Sequence, residues 1–352
     1  MENFTSEIYG FLESCGLCIY KVRSGYGYGF ESISVCTSPE GKSHSIILLG
    51  IVADSLEKAR SQQAAVSEEI TTLRSENGHY PLIVTEDRWR RQNEAMHLRI
   101  LSHLEIFTQI YARNCEIRRI DKATAQAFLE ANHSYGDASC KYRYGLYLKR
   151  HTGHNALRLS ESNDNPDGQA IAALQPGTLI AVATFSNARK WIKGDKTIRS
   201  YEWTRYASLP GVRLSGGMGK VLKTFIKEVQ PDDIMTYADL EWSEGKVYEQ
   251  LGFTLEGTRP SVTFTIDTSE WSRTAMSSEA TAGVDMPPPA RGRKRSANGP
   301  ADLCSAQPAE AGTEGQTGVN GSCASDDMPT PASKIFQNFG SNKYRLKLTD
   351  YQ

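Results

Sequence analysis

The stretch 208–229, SLPGVRLSGGMGKVLKTFIKEV, decides the fold because it joins a long predicted strand to an amphipathic helix through a glycine-rich turn. Apolar residues recur at helical spacing in its second half, which predicts a helix over 219–229. Strands are predicted over 199–209 before the turn and over 233–240 after the helix. This alternation of strands with a helix indicates a fold that mixes both element types in one layered structure.

The glycine-rich turn also has the chemistry of an anion site. A helix N-terminus exposes N–H groups without intrahelical acceptors and carries about half a positive charge. Glycines there lack the Cβ atoms that would keep an anion at a distance. We therefore predict that a pyrophosphate binds at Arg213, Ser215, Gly216, Gly217, Met218, Gly219 and Lys220. The spacing fits neither a P-loop nor a dinucleotide-binding glycine motif, so a plain tight strand–helix connection stays an alternative.

The surrounding segment, 116–271, is predicted to be one mixed α/β domain. Asp121 can cap a helix over 122–133. Alternating patterns predict strands at 115–120, 143–150, 178–186 and 261–267, and a short helix is predicted around 244–253.

The first 115 residues are predicted to form a separate α/β domain. Its pattern predicts helices at 4–19, 54–76 and 88–107 and strands at 28–37, 45–52 and 80–87. Cys15 and Cys18 fall in the first helix, and two thiols buried on one helix face are favoured over a zinc or redox site.

The C-terminal part changes composition twice. Residues 272–333 are rich in Pro, Gly, Ala and Ser, which predicts a disordered insertion. Its basic tract 291–295, RGRKR, is either a phosphate-binding or targeting tract or a solvated charge run in a linker. Residues 334–352 contain apolar alternation on both sides of Gly340, which predicts a β-hairpin that docks on the preceding domain. The fold class predicted from all segments is α/β in the broad sense, α+β.

Composition and net charge argue against a membrane-spanning protein and indicate the cellular compartment. The 352 residues carry a net charge of −1, which gives no push toward DNA or a membrane surface. No apolar run approaches the ~20 residues of a membrane helix. The start has no secretory signal pattern, and the seven cysteines are odd in number, so we expect reduced thiols and a cytoplasmic protein.

Two blocks carry a resemblance to the GNAT superfamily of N-acetyltransferases. SLPGVRLSGGMGKVLKTFI resembles that family's acyl-CoA pyrophosphate loop, and VYEQLGF, 247–253, resembles its tyrosine-bearing helix. The resemblance implies binding of acetyl-CoA or another acyl-CoA at the turn, and Tyr248 as proton donor to the leaving thiolate. One departure is that Arg213 lies four residues before Gly217, whereas the family usually has three.

A narrower resemblance concerns the acceptor. FLEANHSYG, YEWTRYAS and PDDIMTYADLEWSEGKVYEQLGF resemble a Mom-like group of phage and mobile-element DNA-modification proteins, in which a Vsr-like nuclease domain often comes first. It implies modification of nucleic-acid bases, DNA as partner, and a bacterial or phage-infected host cell. The predicted strand 45–52 has no acidic residue to hold Mg²⁺, so residues 1–115 are predicted to be a degenerate nuclease-like domain.

Four further residues are candidates for the chemistry. Tyr248 is a phenol that is protonated at neutral pH, and its alternative is an ordinary half-buried aromatic. Asp239 ends its strand and is either a base or a strand-end cap. His133 is either a proton-transfer group or structural. Arg205 is a candidate substrate contact. No metal site is predicted.

Three functions stay open at this point. The first is an acyl-CoA-dependent N-acyltransferase that acts on nucleic-acid bases. The second is a conventional acetyltransferase that acts on a small amine or a protein. The third is a DNA-binding accessory protein whose catalytic sites have decayed, which would not be stabilised by acetyl-CoA.

Overall fold

The computed structural model describes residues 2–36, 42–150, 174–276 and 333–350. Helices and several mixed sheets make up these residues, so the predicted α+β class is confirmed. The described residues up to 275 and from 333 onward form one compact unit. The domain boundaries at 115 and 271 stay predictions. The basic tract 291–295 lies outside the described residues.

The N-terminal region builds a four-stranded sheet with the order β1-β2-β3-β4. Its strands are β1 Cys18–Gly25, β2 Phe30–Cys36, β3 His44–Leu49 and β4 Leu82–Thr85. Its helices are α1 Glu2–Ser14, α2 Leu56–Asn77, α3 Glu86–Arg91 and α4 Asn93–His103. β3 and β4 run parallel, as the α2 crossover between them requires.

The prediction that Cys18 lies on a helix is wrong. Gly16 adopts the left-handed conformation with φ 70° and ends α1, and Cys18 opens β1. Cys15 is half-buried and Cys18 is exposed. The apolar spacing continues through both elements, so it did not mark the boundary.

A second, eight-stranded sheet carries the glycine-rich turn, and its order is β13-β17-β12-β10-β8-β7-β6 with β9 beside β10. The remaining elements of the chain, in order, are β5 Thr108–Tyr111, β6 Cys115–Arg119, α5 Lys122–Asn132, β7 Tyr142–Leu148, β8 Leu179–Phe185, β9 Arg189–Lys193, β10 Lys196–Ser208, β11 Val212–Ser215, α6 Gly217–Val229, β12 Asp233–Asp239, α7 Lys246–Gln250, β13 Thr254–Arg259, β14 Thr263–Asp267, β15 Ser272–Ala275, β16 Ser333–Gln337 and β17 Ser341–Lys347. Of these, β5 and β11 form a separate two-stranded sheet, and β14, β15 and β16 form a three-stranded sheet. Asp121 caps α5 as predicted, since its carboxylate accepts the N–H of Thr124.

The parallel pair β10 and β12 separates along its length. The two strands are in register only from Ser200–Asp233 to Glu202–Met235. Beyond this point β10 continues to Ser208 and β12 to Asp239 without pairing to each other. We call this divergence the strand split, and it opens the sheet beside the start of α6.

The core beneath α6 is aromatic. Phe225 of α6 is fully buried, and its ring stacks on Phe185 of β8 with centroids 3.9 Å apart. Tyr144 and Tyr201 contact Phe225 edge to face. These contacts fix α6 on the sheet and therefore fix where its N-terminus points.

The predicted C-terminal hairpin is not formed, although both of its strands exist. β16 pairs with β14, whereas β17 lies between β12 and β13. Gly340, at φ 76°, turns the chain, and a Cβ there would fall 2.3 Å from the carbonyl oxygen of Arg259. The alternation identified the strands but not their partners, because side-chain period says nothing about which edge a strand joins.

The predicted disordered insertion begins too early. Residues 272–275 form β15, which pairs with β14. Arg273 in this strand is anchored by buried carboxylates, and that contact could not be read from composition. Residues 277–332 lie outside the described residues.

Candidate functional site

A cleft of about 1020 Å³ opens at the strand split. Its walls come from the diverging ends of β10 and β12, from the first residues of α6 and α7, and from α4 of the N-terminal region. Five of the predicted site residues line it: His133, Arg205, Met218, Asp239 and Tyr248. Arg213, Ser215, Gly216, Gly217, Gly219 and Lys220 are not among its lining residues.

The N-terminus of α6 presents free donors beside this cleft. The first helical hydrogen bond runs from the Lys220 N–H to the Gly216 carbonyl, at 3.0 Å. Within the described residues, the N–H groups of Gly217, Met218 and Gly219 have no hydrogen-bond acceptor. We call these three groups the α6 amides. They provide the donors and the dipole that suit an anion.

The glycines of the turn are needed for packing and backbone conformation. From the sequence they were instead explained by the access that an anion needs to the backbone N–H groups. A Cβ on Gly217 would fall 2.6 Å from the Tyr206 hydroxyl and 2.7 Å from the Leu214 side chain, so Gly217 faces the protein interior. Gly216 adopts φ 77°, which an L side chain rarely takes. A Cβ added to Gly219 would lie 3.3 Å from the Leu251 side chain.

The predicted positive side chains of the turn are used by the protein itself. The ammonium of Lys220 donates to the carbonyl of Ala112 at 2.9 Å and also to that of Cys115. The guanidinium of Arg213 lies over the Phe107 ring, 5.1 Å from its centroid. The hydroxyl of Ser215 accepts from Gln109 at 3.0 Å. The α6 amides and the exposed Arg213 guanidinium are therefore the donors of the turn that have no hydrogen-bond acceptor among the described residues.

Tyr248, at the start of α7, is half-buried at the cleft wall. Its ring packs against Trp203, Phe253 and Tyr344. Burial raises the pKa of its phenol, and a hydrogen bond with Thr236 opposes this only in part. The phenol therefore holds its proton at neutral pH, which suits a proton donor.

Asp239 ends β12 inside the cleft, and Tyr135 is its partner. The Tyr135 hydroxyl donates to one carboxylate oxygen, and the Glu241 N–H donates to the other at 2.9 Å. Burial raises the pKa of Asp239, and the charge of Glu241 acts in the same direction. A carboxylate with a raised pKa is a stronger base, so both the base and the strand-end roles are compatible with its contacts.

A buried ion cluster lies beneath this pair and consists of Asp87, Arg88, Glu241 and Arg273. Arg273 binds Asp87 and Glu241, and Arg88 binds the same Glu241 at 2.5 Å. Burial raises the pKa of Glu241, but the two arginine charges outweigh this and lower it to about 2. Arg88 also reaches the Tyr135 hydroxyl at 3.3 Å. The cluster therefore ties α3 and β15 to the cleft floor.

His133 caps the C-terminal end of α5 at the cleft. Its Nδ1 accepts the N–H of Tyr135 at 3.1 Å. Burial, followed by the charges of Arg205 and Arg88, lowers its pKa to about 4. The neutral ring then carries its proton on Nε2, so it offers a donor to the cleft and not a base.

Four arginines line the cleft: Arg91, Arg99, Arg205 and Arg259. None of them has a carboxylate within 4.0 Å in the described part of the chain. Arg205 donates to the carbonyls of Gly136 and Thr204, and Arg259 stacks on Tyr237 at 3.7 Å from the ring centroid. These unpaired cations favour an anionic ligand.

Sequence reasoning missed Tyr135, Arg88, Glu241 and Arg273. A signal for one of them, Arg88, exists, because the charged triplet EDR, 86–88, directly follows the apolar strand LIVT. Charged residues that must be buried after a strand need partners. Their partners are more than 100 residues away in sequence, so the pairing itself could not be inferred.

Acidic side chains of the N-terminal region are bonded to neighbouring groups of the protein. Asp54 pairs with Lys58 at 2.9 Å on the surface. Glu86 accepts the N–H of Ile51 at 3.1 Å. Across the described ranges, no group of three or more His, Cys, Asp or Glu side chains is placed to bind a metal ion. Among the same residues, no helix combines the length and apolar character of a bilayer span.

The free energy of unfolding is expected to decrease as the pH is lowered, because of the burial of His103. Burial lowers the pKa of His103 to about 3, and His44, Arg99 and His79 act in the same direction. An unfolded histidine has a pKa near 6.5, so below that value the unfolded state holds more protons. We expect the free energy of unfolding to drop by about 2 kcal/mol between pH 6.5 and pH 5 from this group.

Urea denaturation at a series of pH values measures this, and His103→Gln should flatten the slope. Asp239, whose pKa is raised by burial, contributes with the opposite sign. A protein that is equally stable or more stable at about pH 5 would contradict the prediction.

Solved structures of other proteins resemble part of this chain in fold, and two of them are described here. No family model and no curated protein matches the chain. A conserved protein of unknown function from Enterococcus faecalis V583, described as a probable N-acyltransferase, is similar over 45% of this chain and 36% of its own, with 12% identity and a TM-score of 0.28. The NatC complex bound to Gag peptide and CoA contains a chain similar over 42% of this one and 88% of its own, with 15% identity and a TM-score of 0.26. At these values neither likeness bears on the function.

Proposed function

We propose that the protein is an acyl-CoA-dependent N-acyltransferase of the GNAT-like kind, and that its acceptor is an exocyclic amine of a nucleic-acid base. The observation that carries the first part is the strand split. Met218 at the N-terminus of α6, Tyr248 and Asp239 all line the cleft that opens there. The GNAT and Mom-like resemblance of the sequence supports the acceptor.

The residues present fit an acyl-CoA. The α6 amides can donate hydrogen bonds to a diphosphate, and Met218 lines the cleft at this end of the helix. The thioester supplies an acyl group with a good leaving group. Because the diverging ends of β10 and β12 do not pair with each other, there is room for an extended chain between them.

The chain's own groups then handle two protons. In the proposed reaction a bond forms between the acceptor nitrogen and the acyl carbon, and the carbon–sulfur bond breaks. Tyr248 gives its proton to the sulfur. The proton lost by the amine passes to Asp239, with Tyr135 as the hydroxyl between them. His133 Nε2–H is a donor that can orient a carbonyl oxygen.

The unpaired arginines support an acceptor with phosphates. Arg91, Arg99 and Arg259 lie on walls of the cleft that include α4 and β13. Phosphate contacts from such side chains supply most non-specific affinity for nucleic acid. The cleft also contains Glu94, Glu130 and Glu202, so binding depends on position and not on net charge.

The experiment is direct. The protein is incubated with acetyl-CoA and single- or double-stranded DNA, and the digested nucleosides are analysed by mass spectrometry. An acylated nucleoside confirms the proposal. Unchanged nucleosides, with acetyl-CoA binding measured separately, would move the acceptor to a small amine or a protein. Absence of acetyl-CoA binding would overturn the enzyme itself.

A pair of arginine substitutions tests the nucleic-acid surface. We expect Arg91→Ala with Arg259→Ala to weaken single-stranded DNA binding and to reduce its salt slope by about 0.7 for each phosphate that is no longer neutralised. Arg60→Ala is the matched control, because Arg60 is exposed on α2 and does not line the cleft. Equal weakening in the control and the double variant, measured by fluorescence anisotropy, would contradict this assignment.

A further inference from the structure

Two cysteines face each other across the antiparallel strands β1 and β2. Cys18 is the register partner of Cys36, and Ile19 is the partner of Val35 next to them. Residues directly opposite each other project to the same side of a sheet. The Cys36 sulfur lies 3.8 Å from the Cys18 carbonyl oxygen, so it lies over its partner strand.

The geometry of such a pair suits a disulfide. Opposite residues in an antiparallel ladder have Cα atoms roughly 4.5–5.5 Å apart, and disulfides occur at roughly 4.4–6.8 Å. Both residues are free thiols in this structure. A bond between them therefore needs side-chain rotation and no change of strand register.

The pair is also accessible. Cys18 is exposed, Cys36 is half-buried, and β1 is the edge strand of its sheet. A small-molecule disulfide can reach Cys18 without unfolding of the sheet.

Cys15 is the competing partner, and it is less suited. It lies before the left-handed turn at Gly16, and it packs against the core formed by α1 and the N-terminal sheet. Burial raises the pKa of its thiol, which lowers the thiolate fraction that reacts.

We propose that Cys18 and Cys36 form a cross-strand disulfide by exchange with a low-molecular-weight disulfide such as oxidised glutathione. The Cys18 thiolate attacks a glutathione sulfur, and one glutathione thiolate leaves. The Cys36 thiolate then attacks the Cys18 sulfur and releases the second glutathione. The two protein thiols are oxidised, and one glutathione disulfide is reduced to two thiols. This modification site is independent of the proposed acyltransferase function.

The bond would close the β1–β2 hairpin at its open end. The turn after Gly25 joins the strands at the other end, so oxidation would enclose both strands in one ring. We expect slower backbone hydrogen exchange in β1 after oxidation, because an edge strand opens more easily when one end is free.

The test uses the full chain. After incubation with oxidised glutathione and removal of excess, thiol titration in denaturant should show the loss of two of the seven thiols. Trypsin cuts after Lys21 and Arg23, so mass spectrometry should find peptides 1–21 and 24–42 joined, and a reductant should separate them. Cys15→Ser should behave as the wild type, whereas Cys18→Ser and Cys36→Ser should lose the joined peptides.

Three results would overturn the proposal: a Cys15–Cys18 bond, persistence of the joined peptides in Cys18→Ser, or glutathione adducts on Cys18 without the second step. A second digestion with chymotrypsin, which cleaves after Leu17, separates Cys15 from Cys18, so mapping of the wild-type protein alone assigns the bond and does not depend on the variants folding.

Discussion

Tyr248→Phe is expected to slow acyl transfer by roughly 10²–10⁴-fold, because it removes the proposed proton donor to the leaving sulfur. The affinity for acetyl-CoA should change little. The phenylalanine ring keeps the contacts with Trp203, Phe253 and Tyr344, and the α6 amides are untouched. The measurement is a single-turnover rate with the acceptor found by mass spectrometry, together with calorimetric titration of acetyl-CoA.

Tyr26→Phe is the matched control for this substitution. Tyr26 is 95% exposed in the β1–β2 turn and lies outside the cleft, so the same loss of a hydroxyl should leave the rate unchanged. A Tyr248→Phe enzyme with the wild-type rate would remove Tyr248 from the mechanism. Equal loss of rate and of acetyl-CoA affinity would make its role binding and not proton transfer.

Arg273→Met is expected to destabilise the protein by roughly 3–5 kcal/mol at neutral pH, because Asp87 loses its arginine and Glu241 keeps only Arg88. Asp87 and Glu241 are 2% and 1% exposed, and Arg273 bonds to both of them. Without Arg273, the larger of the two arginine charges that hold the pKa of Glu241 near 2 is lost. The variant can then relieve the cost by taking up a proton.

The pH dependence distinguishes this cause from simple loss of packing. The difference in unfolding free energy between wild type and variant should shrink as the pH falls through about 4.5, where an ordinary glutamate protonates. Urea denaturation at several pH values measures it, and Arg60→Met on the surface should stay within about 0.5 kcal/mol. A difference that is independent of pH would contradict the ionic explanation.

Local signals in the sequence predicted the elements around the cleft well. The Asp121 cap, the apolar face of α6 and the strand before Asp239 each depend on neighbours within one element, and each is found in the structure. Tyr248 starts a short helix, as the VYEQLGF block indicated. These features follow from residue spacing alone, so one sequence was enough to find them.

Non-local pairing could not be predicted in the same way. β17 enters the sheet between β12 and β13, and β15 is held by Arg273 through contacts with α3 and the segment after β12. Both depend on partners far away in the chain. The composition of 272–276 therefore resembles a linker although the segment is a strand.

In the candidate site, too, local features could be predicted from the sequence and non-local contacts could not. The glycines indicated a helix start at 219, two residues after the observed start at Gly217. Lys220, however, donates to the carbonyls of Ala112 and Cys115, which come from another part of the chain. Tyr135 was missed because its connection to Asp239 spans 104 residues. A sequence indicates which groups a helix or strand end presents, but not which of them are already used.

Hydrogen exchange of the full-length protein, with and without acetyl-CoA, tests the central claim most directly. The α6 amides have no acceptor within the described residues, so they should exchange fast in the free protein and slow down when the ligand is added. Slower exchange in the peptide that spans 214–222, with smaller changes at 236–239, is the predicted result. Binding of acetyl-CoA that leaves 214–222 unchanged, or no binding, would contradict the account.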